Sequence, residues 1–508
     1  MHFRYTPVPD WPPLAWLACG HRGDPTVEVF HGPDVETTPD GFSEAVWDGE
    51  FARAGFDETD LVFGSGARRR GGGVTFVSSG STVDRLHSHE AAGRVCVANS
   101  LACLLVAIGA DVDPTYAGYY ADFKSISDGL ARYARSVATS AGPVRLTYFH
   151  NLVWDGRALR ERPKPAPHRD FGDFAGYRGF LEASLAGLAQ NLSSSDRAVP
   201  LRMLGTISSG YDSPAVTVLA QPYGLQEAIA FEPSSSGAPD SGGAIAHALG
   251  VRLRRLARDA WRGPDAPPGP ELPFLAADAK GEDVYFRGAE AHLARRVLLT
   301  GYHGDQMWSK RPRAASADIV RGDQSGLSLS EYRLWVGFIH VPVPFLGVRQ
   351  IGDVSALSRS SAMAPWDVPG AYSRPICRRI VETAGVPRDA FGVRKQTASV
   401  LFFERDDMLS PGSLAEYGEW LREHAADWSE RGLAAPTRSP GAAARLRAAL
   451  ARLASPRLRN ALGLAHGSRL FPHLFPWAVE RAKARYRAAP YEVIAERHLR
   501  APEQRARA

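Results

Sequence analysis

The chain has 508 residues, of which 44% are hydrophobic and 23% are charged, and its net charge is +5. This composition is typical of a globular protein with large apolar cores, and it excludes disorder on a large scale. The cysteines are scattered without a C-x-x-C pair, which argues against a zinc ribbon, an iron–sulfur cluster or a disulfide framework and is typical of a reducing cytosol. They are Cys19, Cys96, Cys103 and Cys377.

The N-terminal segment 1–16 has neither a long apolar run nor a small-residue cleavage site, so no signal peptide is expected. No window approaches the ~18 uncharged apolar residues that suggest a transmembrane helix. We therefore expect a cytoplasmic protein without a transmembrane segment.

Residues 1–165 are predicted to form a β-rich domain, in which short apolar stretches alternate with turns rich in Gly, Ser and Asp. Helical pieces are expected around 101–108 and 116–120. The segment 162–168 holds two basic residues and three prolines, and it predicts a linker to the next domain.

Two histidines in this domain raise the question of a metal site. A strand would place His87 and His89 on one face, where they could bind a metal together. A turn of solvated polar residues over 87–90 is the favoured interpretation.

Residues 170–430 are predicted to form a second domain, which begins with a helix over 171–192. Strands are expected at 201–207, 227–231, 251–253 and 297–300, alternating with helices at 214–219, 244–249 and 288–294. Such alternation predicts a parallel sheet with helices on both faces. Ligands bind such sheets at the carboxyl ends of the strands.

The first predicted strand of this sheet runs into a short Ser- and Gly-rich loop, and a helix follows at once, with Asp212 or Ser213 suited to cap it. Backbone N–H groups of such a loop, at the positive end of a helix, form an anion site. Ser208 and Ser213 add hydroxyl donors, and Asp212 is an oxygen ligand for Mg²⁺. The loop therefore predicts a phosphate site, although taken alone it is equally compatible with a chance turn.

The strand at 297–300 ends in a Gly-containing turn that supplies a second carboxylate, Asp305. Two carboxylates at neighbouring strand ends predict a site for magnesium and pyrophosphate. Further along, Arg394 and Lys395 follow a turn, and Lys395 is expected to hold pyrophosphate and the charge that develops during reaction. By itself this basic pair is more typical of a solvated surface.

The order S-x-G-x-D-S, then G-x-x-x-D, then a late Lys resembles the asparagine synthetase superfamily of PP-loop ATP pyrophosphatases, over about 170–425. The resemblance implies a PP-loop α/β fold that binds ATP and Mg²⁺. It assigns the nucleotide to Ser208, Ser209, Gly210, Tyr211, Asp212, Ser213, Gly301 and Gly304, the metal to Asp212 and Asp305, and transition-state stabilisation to Lys395. The chain departs from the family at Ser209, where a second Gly is usual, and at Gln306, where Glu is common.

The N-terminal region resembles the late part of the glutaminase domain with which asparagine synthetases begin, at 84–105 and 112–114. That glutaminase uses the Cys exposed after Met removal as its nucleophile, whereas position 2 here is His2. The resemblance implies a degenerate class II, Ntn-type glutaminase domain retained as a scaffold. Ammonia from glutamine is therefore not expected.

The loop around Tyr302 resembles the β-lactam synthetase branch, which has Tyr where asparagine synthetases have Glu. That branch implies that Tyr302 works with a downstream Glu, matched here by Glu331, to deprotonate the amine substrate. Two alternatives stay open. Tyr302 packs beside the loop while Glu331 caps a helix near Ser330, or His303 is the base.

The segment 363–377 is expected to help shape the pocket for the acceptor, with Trp366, Asp367 and Arg374 as candidates. Aromatic and Arg residues in such a segment are more often core or salt-bridge components.

Residues 435–508 are predicted to form a basic helical extension, with Arg residues on an Ala- and Leu-rich framework. The favoured interpretation is a helical cap with a solvated Arg face. The alternative is docking to a polyanion, an acidic glycan or a membrane surface. Two prolines interrupt the aromatic cluster at 470–477 and weaken a membrane-helix interpretation.

Together these features predict an ATP-dependent, AMP-forming amide-bond synthetase that adenylates a carboxylate and transfers it to an amine, between or within molecules. Its expected partners are small-molecule carboxylates and amines, no nucleic acid is expected, and a homodimer is left open. One alternative is a PP-loop enzyme that modifies tRNA, which the basic charge would suit although no RNA-binding module is recognisable. The other is a non-catalytic scaffold derived from an asparagine synthetase.

Overall fold

The computed structural model describes residues 1–234, 237, 242–263, 268–370, 372–392, 398–438, 441–454, 458 and 467–487. Its strands are β1 (His2–Pro7), β2 (Trp16–His21), β3 (Thr26–His31), β4 (Glu36–Thr38), β5 (Gly41–Trp47), β6 (Val62–Arg70), β7 (Gly73–Val77), β8 (Arg85–Ala91), β9 (Arg94–Ala98), β10 (Ser136–Val137), β11 (Val144–Tyr148), β12 (Asn151–Trp154), β13 (Leu159–Arg162), β14 (Arg202–Thr206), β15 (Glu227–Glu232), β16 (Arg252–Ala257), β17 (Arg296–Thr300) and β18 (Ile339–Pro342).

The α-helices are α1 (Leu101–Ile108), α2 (Tyr119–Lys124), α3 (Phe174–Leu192), α4 (Asp212–Ala220), α5 (Gly243–Ala248), α6 (Leu272–Leu275), α7 (Gly304–Met307), α8 (Leu329–Val336), α9 (Ile351–Ser358), α10 (Pro375–Thr383), α11 (Pro411–Glu423), α12 (Ala425–Glu430), α13 (Gly441–Leu453) and α14 (Leu474–Lys483). A 3-10 helix, Val284–His292, replaces the α-helix predicted over 288–294. Shorter 3-10 helices are Phe51–Arg53, Ser125–Asp128, Gln221–Tyr223, Ala260–Arg262, Val343–Phe345, Val348–Gln350, Ser361–Trp366, Phe402–Glu404, Phe471–His473 and Ala484–Tyr486.

The N-terminal region is β-rich, as predicted, and consists of two sheets that pack face to face. Their strand orders are β1-β3-β2-β9-β8-β11-β10 and β13-β12-β7-β6-β5-β4. Apolar side chains that alternate along the strands fill the space between the sheets, among them Trp16, Phe42 and Trp154. The Trp16 and Phe42 rings pack edge to face with their centroids 5.1 Å apart. Helix α1 packs on β2, β8 and β9 from the opposite side.

The turn predicted over 87–90 is wrong, because these residues belong to β8. This strand is central: it pairs with β9 on one side and β11 on the other. His87 is buried, and its Nε2 accepts a hydrogen bond from Arg85 Nε at 3.1 Å, while burial and then the Arg85 charge hold its pKa well below the ordinary value. Hydrogen bonds to both neighbouring strands satisfy the backbone donors and acceptors of β8. The segment therefore forms a strand despite its polar composition.

The second region is built on a parallel sheet of order β16-β15-β14-β17-β18, which confirms the predicted mixed α/β architecture. The strands β14 and β17 lie next to each other at its centre, and Leu204, Leu298 and Leu299 on them are fully buried. Continuous apolar runs of this kind are typical of parallel strands covered on both faces. The carboxyl ends of β14 and β17 therefore open at the same edge.

The segment predicted as a linker is anchored to the N-terminal sheets. The last strand of those sheets ends at Arg162, and α3 begins at Phe174. Between them Lys164 is buried, and its Nζ donates to the Ser78 carbonyl at 2.7 Å and to Asn151 Oδ1 at 2.8 Å. Burial lowers the pKa of Lys164 to about 7.

Buried ion pairs join the N-terminal region to the parallel-sheet region. Arg333 on α8 contacts Glu44 at 2.5 Å and Asp84 at 2.9 Å, and all three side chains are nearly inaccessible to solvent. Arg197 contacts Glu36 at 2.6 Å in the same way. The hydrogen bonds of these guanidinium groups fix how the two regions meet.

The C-terminal helix α14 lies inside the protein, deeper than the predicted cap. It packs on both α1 and α6. The Phe475 ring lies 4.8 Å from the rings of Tyr119 and Phe123, and Trp477 is fully buried. Among the described residues, no helix combines the length and the apolar character needed to cross a bilayer.

Candidate active site

A cleft opens where the central strands of the parallel sheet end. The segments that follow β14 and β17 line it, and it contains ≈ 1030 Å³ of unfilled space, counting its mouth open to solvent. Parallel α/β sheets bind ligands at this edge, and small-molecule sites are clefts of this kind.

The segment after β14 forms a tight loop stabilised by its own serines. Ser208 Oγ lies 2.9 Å from Ser213 Oγ and accepts the Gly210 N–H at 3.2 Å. The N-cap residue of α4 is Tyr211, and its side chain does not cap the helix. The predicted capping by Asp212 or Ser213 is therefore wrong. Both lie in the first helical turn and line the cleft, next to amide groups suited to an anion.

The other two loop residues hold the loop against a later segment of the chain. The Ser209 carbonyl accepts the Gly392 N–H at 2.8 Å. Tyr211 is buried, its Oη accepts from Arg378 Nη2 at 2.9 Å, and its ring lies 4.9 Å from the Tyr372 ring. The segment 372–392 thus fixes the loop at both Ser209 and Tyr211.

The structure brings Asp212 and Asp305 to the same cleft, and two glycines allow this. A Cβ on Gly301 would lie 2.6 Å from Asp212 Cβ, and a Cβ on Gly304 would lie 2.6 Å from Asp212 Cγ. The turn after β17 therefore touches the first turn of α4, an approach open only to glycine. Burial, then the nearby Asp323 and to a smaller extent Asp212, raise the pKa of Asp305.

Asp212 and Asp305 are the residues that would hold Mg²⁺. Their oxygens are the hard ligands that this ion prefers, and the raised pKa of Asp305 indicates a carboxylate that an added cation would stabilise. Across the described part of the chain, no group of three or more His, Cys, Asp or Glu side chains is arranged to bind a metal ion.

Of the candidates in 363–377, Arg374 lines the cleft. Its buried guanidinium makes an ion pair with Asp212. Asp367 instead contacts Lys310 at 2.5 Å, and the Trp366 ring stacks 4.4 Å from the Arg379 guanidinium. A buried Arg at this position is suited to phosphate oxygens.

Tyr302 lines the cleft and belongs to a buried hydrogen-bond chain. Its Oη donates to Asp283 Oδ1 at 3.1 Å and lies 2.7 Å from Tyr285 Oη. The second carboxylate oxygen of Asp283 accepts the Gly326 N–H at 2.9 Å and the Ser328 hydroxyl at 2.7 Å. These contacts fix the position of the carboxyl group beneath the phenol.

The pKa values of the Asp283 carboxyl and the Tyr302 phenol differ widely. Burial, and after it the neighbouring Glu282, raises the pKa of Asp283 to about 7. Burial, and after it the Asp283 charge, raises the pKa of Tyr302 well above its ordinary value. A carboxyl group that changes charge near neutrality thus contacts a protonated phenol, which is the combination a proton relay needs.

Glu331 does not lie beside Tyr302, which corrects the predicted pair. Its Oε1 accepts from Tyr486 Oη at 2.5 Å and from Trp335 Nε1 at 2.9 Å, and it is buried against the C-terminal segment. The carboxyl group that contacts Tyr302 belongs to Asp283, whereas Tyr486 and Trp335 hold the carboxyl group of Glu331.

His303, the alternative base, also lines the cleft. It is buried in a left-handed conformation with φ of 72°, and its ring stacks on Phe345 at 4.6 Å. Burial, then the charge of Arg321, lowers the pKa of His303 to about 3. Such an imidazole is too weak a base to hold an ammonium proton near neutral pH.

Lys395 lies outside the described residues. The residues on either side of it are placed at the cleft: Gly392 contacts the Ser209 carbonyl, and Ala398 and Ser399 line the cavity. Arg258 donates to the carbonyls of Ala398 and Ser399 at 2.7 Å and 2.6 Å.

Two acidic residues of the site, Asp283 and Asp323, were missed from the sequence. Asp283 lies between α6 and the 3-10 helix Val284–His292, and Asp323 lies in the long connection between α7 and α8. Neither follows a strand directly, so strand ends do not point to them. The adjacent acidic pair of Glu282 and Asp283 was the available signal, and it is too common to be specific.

Comparison with protein-family models and with curated proteins gives no match. The function of the cleft therefore has to be argued from its own geometry.

Proposed function

We propose that this protein is an ATP-dependent, AMP-forming amide-bond synthetase. In this reaction a substrate carboxylate attacks the α-phosphorus of ATP and pyrophosphate leaves; an amine then attacks the acyl-adenylate and AMP leaves. The observation that carries the proposal is the convergence of Asp212, Asp305 and the 208–213 loop on one cleft at adjacent parallel strand ends. Tyr302, which donates to the buried Asp283, lines the same cleft.

The nucleotide end of the cleft is the loop side. The N–H groups at the start of α4 and the hydroxyls of Ser208 and Ser213 offer donors to phosphate oxygens. Arg374 would move from Asp212 to phosphate when Mg²⁺ neutralises that carboxylate. Mg²⁺ supplies, when bound, positive charge that offsets the triphosphate. Lys395 is proposed to contribute to the same charge balance from the segment that follows Gly392.

The amine end is the Tyr302 side. An ammonium must lose a proton before its nitrogen can attack an acyl group. We propose that Tyr302 Oη accepts this proton while its own proton passes to Asp283 Oδ1, along the 3.1 Å hydrogen bond. The net change is a neutral amine, a neutral phenol and a protonated carboxyl, so no charged phenolate has to accumulate.

The amine is proposed to enter without glutamine hydrolysis. A glutaminase of the Cys type needs an accessible thiolate, and all four cysteines of the chain are buried. Burial raises the pKa of Cys96, Cys103 and Cys377 well above the ordinary thiol value. The two N-terminal sheets and α1 are proposed to be a degenerate glutaminase-like scaffold, and the parallel sheet to have the PP-loop arrangement.

The proposal is tested by incubating the protein with Mg·ATP and a small-molecule extract of its native cells. Mass spectrometry should detect AMP, pyrophosphate and a new product that corresponds to loss of water between a carboxylic acid and an amine. Asp212→Asn and Asp305→Asn should each lower AMP release by roughly 10²-fold or more, because each removes a charge at the triphosphate.

Glu331→Gln is the matched control, since it removes a buried carboxyl that lies away from the cleft. It should keep AMP release within a few-fold of the wild-type rate. Release of ADP instead of AMP, or equal loss of activity in the control, would overturn the proposal.

A further inference from the structure

Helix α13 exposes its large apolar side chains and buries a small one, which is the reverse of an ordinary surface helix. Leu446, Leu450 and Leu453 are 62%, 45% and 87% exposed, whereas the small Ala451 is buried. The helix contacts the body of the protein near Phe402–Glu404. A surface helix normally turns its largest apolar side chains toward the core, so an exposed leucine row indicates a surface that another phase or molecule covers.

The three leucines form one stripe along the helix axis. At about 100° per residue, they fall within about 60° of one another. Arg445 and Arg447 follow at about 100° on either side of Leu446, and Ala451 lies about 140° away from it. The helix thus presents leucines outward with an arginine along each flank of the stripe.

The chain segment that includes α13 carries charge of one sign along the sequence. Residues 431–479 contain eight Arg and neither Asp nor Glu, although the chain as a whole has 55 acidic residues against 60 basic ones. Such a stretch attracts an anionic surface, and it would repel a second copy of itself. Nucleic acid would meet the arginines but would leave the leucine stripe in water.

We propose that α13 docks the protein on an anionic lipid surface. The leucines would enter the boundary between head groups and acyl chains, while Arg445 and Arg447 extend along the flanks to lipid phosphates. The helix lies in the plane of such a surface and does not cross it. This inference stands independently of the amide synthetase activity, because it uses none of the residues of the cleft.

Sedimentation of the full chain with lipid vesicles tests the proposal. At low salt the protein should bind vesicles of phosphatidylcholine mixed with phosphatidylglycerol at least ~10-fold more tightly than vesicles of phosphatidylcholine alone, and high salt should remove the difference. Absence of binding to the mixed vesicles, or equal binding to both kinds, would overturn it.

A triple variant separates the leucine stripe from the general positive charge. Leu446→Ser, Leu450→Ser and Leu453→Ser together should weaken binding to the mixed vesicles by more than ~10-fold, because apolar side chains no longer enter the lipid. The thermal unfolding midpoint should stay unchanged, since these side chains are exposed. The matched control is Leu433→Ser, which alters a leucine that is 52% exposed in the same acid-free stretch but outside α13.

The control should bind vesicles like the wild type. Equal loss in the control, or unchanged binding of the triple variant, would overturn the assignment to α13. A triple variant that changes the molecular mass measured by light scattering, yet binds vesicles normally, would show that the stripe joins two copies of the chain and would also overturn the proposal.

Discussion

Buried carboxyl groups determine the electrostatics of the cleft, and their neighbours shift their pKa values in different directions. Burial raises the pKa of Asp283 to about 7. For Asp323 burial acts in the same direction, but the Arg321 charge, the hydrogen bonds of Ser325 and the Lys280 charge together outweigh it, and the pKa is lowered. Groups whose pKa values diverge within one site take different roles, one as a proton acceptor near neutral pH and the other as a fixed negative charge.

The role proposed for Asp283 predicts a pH dependence. Below its pKa the carboxyl is protonated and cannot accept a proton, so kcat/KM for amide formation should fall about tenfold per pH unit below about pH 7 and level off above it. Asp283→Asn should lower kcat/KM at neutral pH by roughly 10²- to 10⁴-fold and remove this acidic limb. Steady-state kinetics between about pH 5 and pH 9 measure both effects.

Glu331→Gln serves as the comparison, because Glu331 is equally buried but hydrogen-bonded to Tyr486 and Trp335. It should retain the acidic limb. An Asp283→Asn enzyme with the wild-type pH profile would remove Asp283 from the proposed relay.

At the residue scale, the sequence was sufficient to locate the site residues that closely follow a strand. Asp212 and Asp305 follow β14 and β17 by a few positions, so the parallel sheet alone brings them together. Asp283 reaches Tyr302 from the start of the 3-10 helix Val284–His292, and its partner depends on tertiary packing that no local pattern encodes. The pairing with Glu331 failed for the same reason, because Tyr486, which donates to Glu331, lies 155 residues later in the chain.

At the scale of elements, the contact between the turn after β17 and the first turn of α4 sets the distance between the two halves of the site. Gly301 has no room for a side chain, because its Cβ would meet Asp212 Cβ at 2.6 Å and the Ser213 nitrogen at 2.9 Å. One of these atoms belongs to the backbone, so rotation of a side chain cannot relieve the clash.

Gly301→Ala should therefore lower the free energy of unfolding by ~1–3 kcal/mol and weaken nucleotide binding, because α4 has to move away from the strand end. Denaturant unfolding and nucleotide titration measure the two effects. Gly418→Ala, within α11, is the matched control: nothing lies within 4 Å of its added Cβ, and it should stabilise the protein by roughly 0.5–1 kcal/mol. Equal effects of both substitutions would contradict the close approach.

Elements with a clear period were predicted well. The predicted helix 101–108 coincides with α1, and the strand 297–300 differs from β17 by one residue. The strand β8 was missed because its composition is polar. Its stability comes from neighbours on both edges that are distant in the chain, and sequence composition does not report them.

At the scale of the whole molecule, Arg333 joins the N-terminal sheets to the parallel-sheet region by contacting Glu44 and Asp84. Arg333→Ala should cost about 3–5 kcal/mol of unfolding free energy, because it leaves two carboxylates buried without their cation. Chemical denaturation measures the loss.

Arg295→Ala is the matched control for this prediction. Arg295 also bridges the two regions, to Asp34 at 3.1 Å, but its side chain is 58% exposed. Its loss should cost less than about 1 kcal/mol. Similar costs for the two substitutions would show that burial is not what makes the Arg333 contact strong.

The position of α14 has a consequence for biosynthesis. Lys483 Nζ donates to the carbonyl of Ala110, 373 residues earlier in the chain, at 2.9 Å. At ribosomal speed roughly 20 to 75 s separate the synthesis of these two positions. During that interval the nascent chain holds α1 with one apolar side uncovered, so the packing of α1 is completed only after α14 has been synthesised.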